Sequence, residues 1–347
     1  MTDLDVLIIS TGHDSEDGRL IRHKKALERN NIPVAIECIR FPNRFARFTL
    51  GPFRALKIIK DYNSRCVILP DPELQLFLPF FLHKRMAVIS DIHENYNAVR
   101  FDRAWIRNWM IPFVRTATQL LQFLRNRYSH SLITVDDRIC PEANYQITNC
   151  PHPDDLPKPV KNIQSHSVVY VGDIRETRGF SLMLKILQEI PTLRLELIGP
   201  TSMTNLEDII DNQGLSDRVV WHGRKSYDES WEIARNCLAG LSLLSDTPAF
   251  RSAHPTKIWE YWMVGLPVLA TDLPGQSQMI NESGGGTTGS YSTLLETLKN
   301  WLDHPDYAQS IGNKGRNYIL QNPKTSSGSL SNAVHESIQK FEKVVNQ

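Results

Sequence analysis

Two short stretches carry residue types whose spacing suits one kind of chemistry. The first is HPTKIWEYWMVGLPVLATD, residues 254–272. Pro255 suits the start of a helix, and Ser252 or Thr256 can cap it. Lys257 then falls in the first turn, where the helix dipole disfavours a cation unless an anion lies nearby. Glu260 follows three residues later on the same helical face. A carboxylate there can accept two hydrogen bonds from a vicinal diol such as a ribose presents. The plainer alternative is a local Lys–Glu pair, worth a few tenths of a kcal/mol. Trp259, Tyr261, Trp262 and Met263 read as core packing. The second stretch is GDIRETRG, residues 172–179, between a strand pattern and a helix expected from about Phe180. Gly172 and Gly179 let the backbone turn tightly and approach a ligand. Arg175 and Arg178 stand at a helix N-terminus, which already favours an anion, and their forked donors fit phosphate oxygens. Their alternative is simple pairing with Asp173 and Glu176.

These residues need strands that deliver them to one edge of a sheet. Short apolar runs at 6–10, 34–38, 66–70, 86–90 and 131–135 alternate with helical patterns. That is the signature of a parallel sheet covered on both faces. Residues 150–165, with four prolines and little hydrophobicity, read as a linker. A second series runs through 167–172, 193–199, 218–223, 238–244 and 266–272. Residues 284–290, GGGTTGS, read as a flexible loop. The sequence therefore predicts two α/β domains, each a doubly wound Rossmann-like sheet. Their bounds are 1–150 and 167–325, with a linker over 151–166 and a last helix over 326–347 that packs back across the domain interface. Ligands of such sheets sit beyond the carboxyl ends of the strands, where both stretches fall.

Composition narrows the class. The chain has 347 residues, enough for two cores. Its net charge of +1 hides an asymmetry. Residues 1–150 hold 21 Lys+Arg against 16 Asp+Glu, or +5; the remainder holds 18 against 22, or −4. Five cysteines without a CxxC pair argue against a disulfide framework or zinc site and favour a reducing compartment. No run approaches the about 20 apolar residues that span a bilayer. The N-terminus MTDLDVLIIS reads as a first strand, so a cytoplasmic protein is expected. There is no clustered His/Cys ligand set. In HDSED, residues 13–17, Asp14 or Asp17 is expected to cap a helix starting near Gly18, so no metal site is expected.

The order of these segments resembles retaining glycosyltransferase family 4, the group 1 glycosyltransferases of GT-B fold. PTKIWEYWMVGLPVLATDLPG (255–275) looks like that family's donor-binding signature and GDIRETRG like its phosphate loop. PDPELQLFLP (70–79), SDIHENY (90–96) and ITNCPHP (147–153) resemble three further segments, in the family's order, so the resemblance covers nearly the full chain. It implies two domains facing each other across a cleft. It also implies transfer of a sugar from a nucleotide diphosphate sugar, with retention of configuration. No cofactor is implied, only the nucleotide sugar as co-substrate, and no metal. On this chain Glu260 would hold the ribose. Arg178, at the family's lysine position, and Lys257 would contact the diphosphate, with Thr256, Arg175, Gly172 and Gly179 beside it. His93 would approach the donor sugar, and Gly12, Asp91 and Glu94 would line the acceptor side of the first domain. The leaving diphosphate would be met by cations and helix N-termini.

Two positions depart from the family pattern. The family's first glutamate, eight residues before Glu260, is Ser252 here, and the arginine of its phosphate loop is Asp173. A degenerate member acting as a binding or scaffold subunit is therefore a second reading. A nucleotide-sugar epimerase is a third, which Asp91 or Glu94 would have to serve as acid or base.

One further pattern concerns partners. Residues 39–60 interleave Arg40, Arg44, Arg47 and Arg54 with four phenylalanines. Residues 100–127 hold six arginines, Trp105, Trp109 and one aspartate. Arginine beside aromatics on amphipathic helices suits an anionic membrane surface, which would make the acceptor lipid-linked and the protein peripheral. The alternative is an ordinary helix pair completing the first domain, with a saccharide or other soluble acceptor. Nucleic acid as a partner is not expected at a pI near 7.7.

Overall fold

A computed structural model describes residues 4–93, 108–157, 165–321 and 326–346. The chain divides into two compact units: residues 1–149 with 324–347, and residues 150–323. The first contains β1 (Leu4–Ser10), α1 (Gly18–Arg29), β2 (Val34–Cys38), α2 (Arg44–Asp61), β3 (Ser64–Leu69) and α3 (Pro72–Leu82). It continues through β4 (Ala87–Ile92), α4 (Ile111–Tyr128), β5 (Ser131–Thr134) and β6 (Tyr145–Gln146). All strands pair in parallel, in the order β2-β1-β3-β4-β5-β6.

Alternation along these strands sorts the core into two layers. Val6, Ile8, Cys66, Ile68 and Ile89 face Leu20, Ala26 and Leu27 of α1. Leu7, Ile9, Val67, Leu69 and Val88 face the other way, onto Ala55 and Ile59 of α2 and onto Leu74, Leu78 and Leu82 of α3. Asp17 caps α1, its side chain accepting from the Arg19 and Leu20 amides.

The second unit contains β7 (Ser167–Val171), α5 (Phe180–Glu189), β8 (Arg194–Ile198), α6 (Leu206–Asn212), β9 (Val219–Trp221) and α7 (Tyr227–Ala234). It goes on through β10 (Ala239–Ser242), the short α8 (Pro248–Arg251), α9 (Thr256–Met263) and β11 (Val268–Thr271). Then come α10 (Pro274–Ser283), β12 (Gly286–Gly289), α11 (Tyr291–Asp303) and α12 (Pro305–Gln321). Its parallel order is β12-β11-β10-β7-β8-β9, so the winding direction reverses between β7 and β10. The carboxyl ends at such a reversal form the ligand crevice of this architecture.

The segment expected as a loop over 284–290 is instead the edge strand β12, paired in register with β11 from Val268↔Gly286 to Thr271↔Gly289. Glycine is poor in strands by propensity, but space decides here. A Cβ at Gly286 would sit 2.3 Å from the Val268 carbonyl oxygen, and one at Gly285 2.5 Å from Trp262 Nε1. The final helix, α13 (Ser326–Val345), belongs to the first unit. It lays Leu330, Ala333, Val334 and Ile338 into the same layer as α1, and Ser337 Oγ donates to Ser131 Oγ at 2.8 Å.

Candidate active site

The placement of α9 begins with apolar packing. Ile258, Tyr261 and Trp262 are fully buried. The Val171 amide donates to the Tyr261 hydroxyl at 3.0 Å, and that hydroxyl lies 3.3 Å from the Val169 carbonyl and 3.2 Å from that of Leu241. One side chain thus ties α9 to both β7 and β10, the two strands at the reversal. Gly240 permits this, because a Cβ there would meet the Tyr261 ring at 2.4 Å. Trp262 Nε1 donates to the Gly285 carbonyl at 2.8 Å. Each such buried apolar side chain stabilises the fold by about 1.5–3 kcal/mol. The three together offset the several kcal/mol that burying an ammonium group costs.

That ammonium group is Lys257. It is buried, and its Nζ has no hydrogen-bond partner. It rests 3.7 Å from the centroid of the Tyr170 ring. Burial first, and then the Arg178 charge, push its pKa well below the ordinary lysine value, against the opposing pull of Glu260 and Asp173. A Cβ at Gly172 would sit 3.2 Å from Lys257 Nζ, so the glycine keeps the space beside the ammonium open. Gly172 also has φ +135, and Gly179 has φ +86 with only 2.1 Å between its would-be Cβ and the Leu243 carbonyl oxygen. Neither position tolerates an ordinary side chain.

Arg178 and Arg175 stand in the short 3-10 turn region between these glycines. Arg178 Nε is buried without a hydrogen-bond partner, and its guanidinium lies 6.0 Å from the Phe250 ring centroid. Arg175 Nε pairs with Asp173 at 3.1 Å, so the local ion pair weighed from the sequence does form at that arginine. Glu260 is buried one turn along α9 from Lys257. The cap expected from Ser252 or Thr256 is absent. Pro255 occupies the cap position and no side chain caps the helix, while Ser252 terminates α8. The first amides of α9 therefore add an uncapped positive dipole end to three cationic side chains. An anion with several oxygens would satisfy this assembly, and the glutamate one turn on would meet a hydroxylated group attached to that anion. A cleft of about 610 Å³ opens beside Gly179, lined also by Leu243, Asp246, Thr271 and Ser290 at the carboxyl ends of β10, β11 and β12.

In the first unit, polar groups gather beyond β1, β3 and β4. Asp71 accepts from Ser10 Oγ at 2.6 Å and from the Thr11 and Gly12 amides at 2.7 and 3.1 Å. Gly12 is packed against it, since a Cβ would fall 2.3 Å from Asp71 Oδ1. Thr11 Oγ1 donates to Glu73 at 2.5 Å. Burial and the neighbouring Asp71 raise the pKa of Glu73. His93 lies at the end of β4, its ring edge-on to His13 at 5.2 Å. His13 in turn contacts Asp17 at 2.9 Å and Asp71 at 3.6 Å. Burial pushes Asp17 up, but the hydrogen bond and charge of His13 outweigh it and hold its carboxyl well below the usual range.

Asp91 differs from its expected place on the acceptor side. It is completely buried and accepts from Arg19 Nε at 2.8 Å, Arg19 Nη2 at 2.6 Å and His23 Nε2 at 3.0 Å. Those partners outweigh burial and keep it ionised, while burial and the Arg19 charge lower the His23 pKa. Its carboxylate anchors α1 to β4, which leaves no oxygen for a substrate. Glu94 and Trp105 lie outside the described residues, as do 100–107 of the second Arg/aromatic segment. His13, Asp71 and Glu73 were not singled out from sequence. The signal was available: Ser10–His13 and Asp71 lie at or just beyond the carboxyl ends of the adjacent strands β1 and β3. Among the described residues, no three His, Cys, Asp or Glu side chains converge as a metal site requires.

Two six-stranded parallel sheets with helices on both faces define a GT-B type α/β protein, and solved structures share that fold. The Anabaena protein HepE, solved with UDP-glucose, matches with a TM-score of 0.66 at 13% identity, over 99% of this chain and 100% of that one. WaaG, a glycosyltransferase of lipopolysaccharide biosynthesis, matches with a TM-score of 0.68 at 14% identity, over 95% and 98%. Sucrose-phosphate synthase from Thermosynechococcus elongatus matches at 0.67 and 14%, over 99% of each chain. No curated protein matches the chain. A family model described as "Glycosyl transferases group 1" matches residues 153–318, which span nearly the whole second unit. Residues 153–318 thus carry a group 1 glycosyltransferase domain, the mark of an enzyme of sugar transfer, and Lys257, Glu260, Arg175 and Arg178 all lie inside the matched region.

Proposed function

We propose that this protein is a retaining glycosyltransferase that moves a sugar from a nucleoside diphosphate sugar to a saccharide or lipid-linked acceptor without a metal ion. The observation that carries the donor class is Lys257, a buried ammonium with no hydrogen-bond partner, beside Arg178 and an uncapped helix end. A diphosphate restores what desolvation takes from that lysine. Lys257 and Arg178 contact its oxygens, and Arg175 can turn to it from Asp173. Gly172 and Gly179 give the phosphates room, Thr256 lies at the start of the same helix, and Glu260 accepts from the ribose hydroxyls. As the glycosidic bond to the diphosphate breaks, charge grows on the leaving oxygens. Fixed cations and helix amides aimed there stabilise that charge more than the ground state, which is what speeds the step. Within the first unit His93, its ring edge-on to His13 at 5.2 Å, is the candidate for a catalytic group. Uridine is the first base to test, because HepE is known bound to UDP and UDP-glucose. The five cysteines are all free thiols, which agrees with work in the reducing cytoplasm, where nucleotide sugars are made.

A thermal-shift screen against UDP, GDP, ADP and their sugar conjugates tests the donor. A ligand bound only by the folded state raises Tm, and one base is expected to do so. The preferred donor is then incubated with candidate acceptors in EDTA, and the anomeric configuration of the product is read by NMR. Inverted product, or turnover that EDTA abolishes, rules the mechanism out. Nucleotide binding without transfer to any acceptor supports the scaffold reading that Ser252 and Asp173 suggest instead.

A further inference from the structure

Of the twelve phenylalanines among the described residues, eight are exposed, and all eight lie on α2, α3 and α4. α3 adjoins both of the other two helices. α2 and α3 pack on the same side of the first sheet, opposite α1 and α13. Phe45 and Phe53 of α2 are 79% and 72% exposed, and Phe113 and Phe123 of α4 are 70% and 62% exposed. Between them, α3 exposes Phe77 and Phe81, a contribution outside the two segments that the sequence pattern marks. On α4 the inward residues are Leu121 and Arg125, so Phe113, Leu120 and Phe123 form an outward stripe at helical spacing. An apolar array of this extent on one face marks an interaction surface.

The charges around it select the partner. Two arginines of the layer turn inward, Arg47 to Glu73 at 2.8 Å and Arg125 toward Glu142 at 3.7 Å. Arg54, Lys57, Lys60, Lys84, Arg115 and Arg127 remain exposed around the phenylalanines. The acids on the three helices are the buried Glu73 and the exposed Asp61. A second copy of this face would set cations against cations across a two-fold axis. A nucleic acid would answer the charge but leave the phenylalanines unburied. A bilayer with anionic headgroups meets both: its acyl boundary takes the rings and its phosphates take the cations. We propose that α2, α3 and α4 form a single docking face for the surface of an anionic lipid membrane. No described helix is long and apolar enough to cross a bilayer, so the contact is with the surface.

The test is cosedimentation of the full chain with vesicles of phosphatidylcholine alone or mixed with phosphatidylglycerol. Partitioning is expected to be at least about tenfold stronger on the anionic vesicles and to fall with salt. Combined Phe45→Ser, Phe53→Ser, Phe113→Ser and Phe123→Ser should lower it at least about tenfold, as should Lys57→Gln with Lys60→Gln. The UDP thermal shift should be unchanged in both variants, because none of these residues belongs to the donor site. Absence of binding to anionic vesicles at low salt overturns the proposal, and so does binding that survives the four serine substitutions. A dimer in solution that those substitutions dissolve, without vesicle binding, assigns the face to a second copy instead. Vesicle binding and UDP binding are read separately, so the docking face and the donor reading can fail independently.

Discussion

Replacing Lys257 by methionine should move stability and donor affinity in opposite directions. The wild-type ammonium is buried, lacks a hydrogen-bond partner and is held at a depressed pKa by burial and Arg178. Methionine keeps the length of the side chain and its contact with the Tyr170 ring, now 3.7 Å from the ammonium nitrogen. Removing a poorly compensated buried charge is worth about 1–2 kcal/mol after the lost cation–π contact is deducted. For a unit of this size that raises Tm by roughly 2–8 °C. A charge-assisted hydrogen bond to phosphate contributes about 1.5–3 kcal/mol, so the same substitution should weaken UDP about 10- to 150-fold. Urea unfolding and isothermal titration with UDP measure the two quantities. A variant that is less stable yet binds UDP with wild-type affinity would show Lys257 to be a structural residue and refute the reasoning.

Three further outcomes follow from the same geometry. Glu260→Gln should weaken UDP about tenfold and 2′-deoxy-UDP by less, since the deoxynucleotide has already lost one of the two hydroxyls that the carboxylate accepts from. Equal losses with both nucleotides, read by titration calorimetry, would separate Glu260 from the ribose. The diphosphate should raise the Lys257 pKa. Binding then takes up protons, and affinity falls as pH rises from the depressed value toward the ordinary 10.5. Calorimetry in two buffers of different ionisation enthalpy counts those protons, and zero uptake across that window contradicts the assignment. Asp91→Asn leaves the buried Arg19 without its countercharge and should cost the first unit about 3–5 kcal/mol, visible in denaturant unfolding. A change below about 1 kcal/mol would mean that the pair does not anchor α1.

Much of this protein is legible without coordinates. Apolar runs of strand length alternating with helical patterns give two parallel α/β units, because a strand buried on both faces has no other composition open to it. The glycines at 172 and 179 and the Lys257–Glu260 spacing are visible for a similar reason: a positive φ and a helical repeat are local properties. Local reading failed where distant neighbours set the outcome. GGGTTGS looks like a loop until β11 and Trp262 supply a pairing edge and a wall that admits only glycine. Asp91 looks like a site carboxylate until Arg19 and His23, 72 and 68 residues away, consume it.

The sequence alone therefore determined the class of fold and which residues could meet a nucleotide, since periodicity, turn glycines and helix-end charges act over a few residues. Only the tertiary structure decided which of them are free to do so. Whether Lys257 keeps a partner, whether Ser252 or Thr256 caps α9, and whether eight phenylalanines face the core or the outside depend on what other segments bring within a few ångströms. Desolvation and contact are sums over spatial neighbours, and spatial neighbours are not adjacent in the chain.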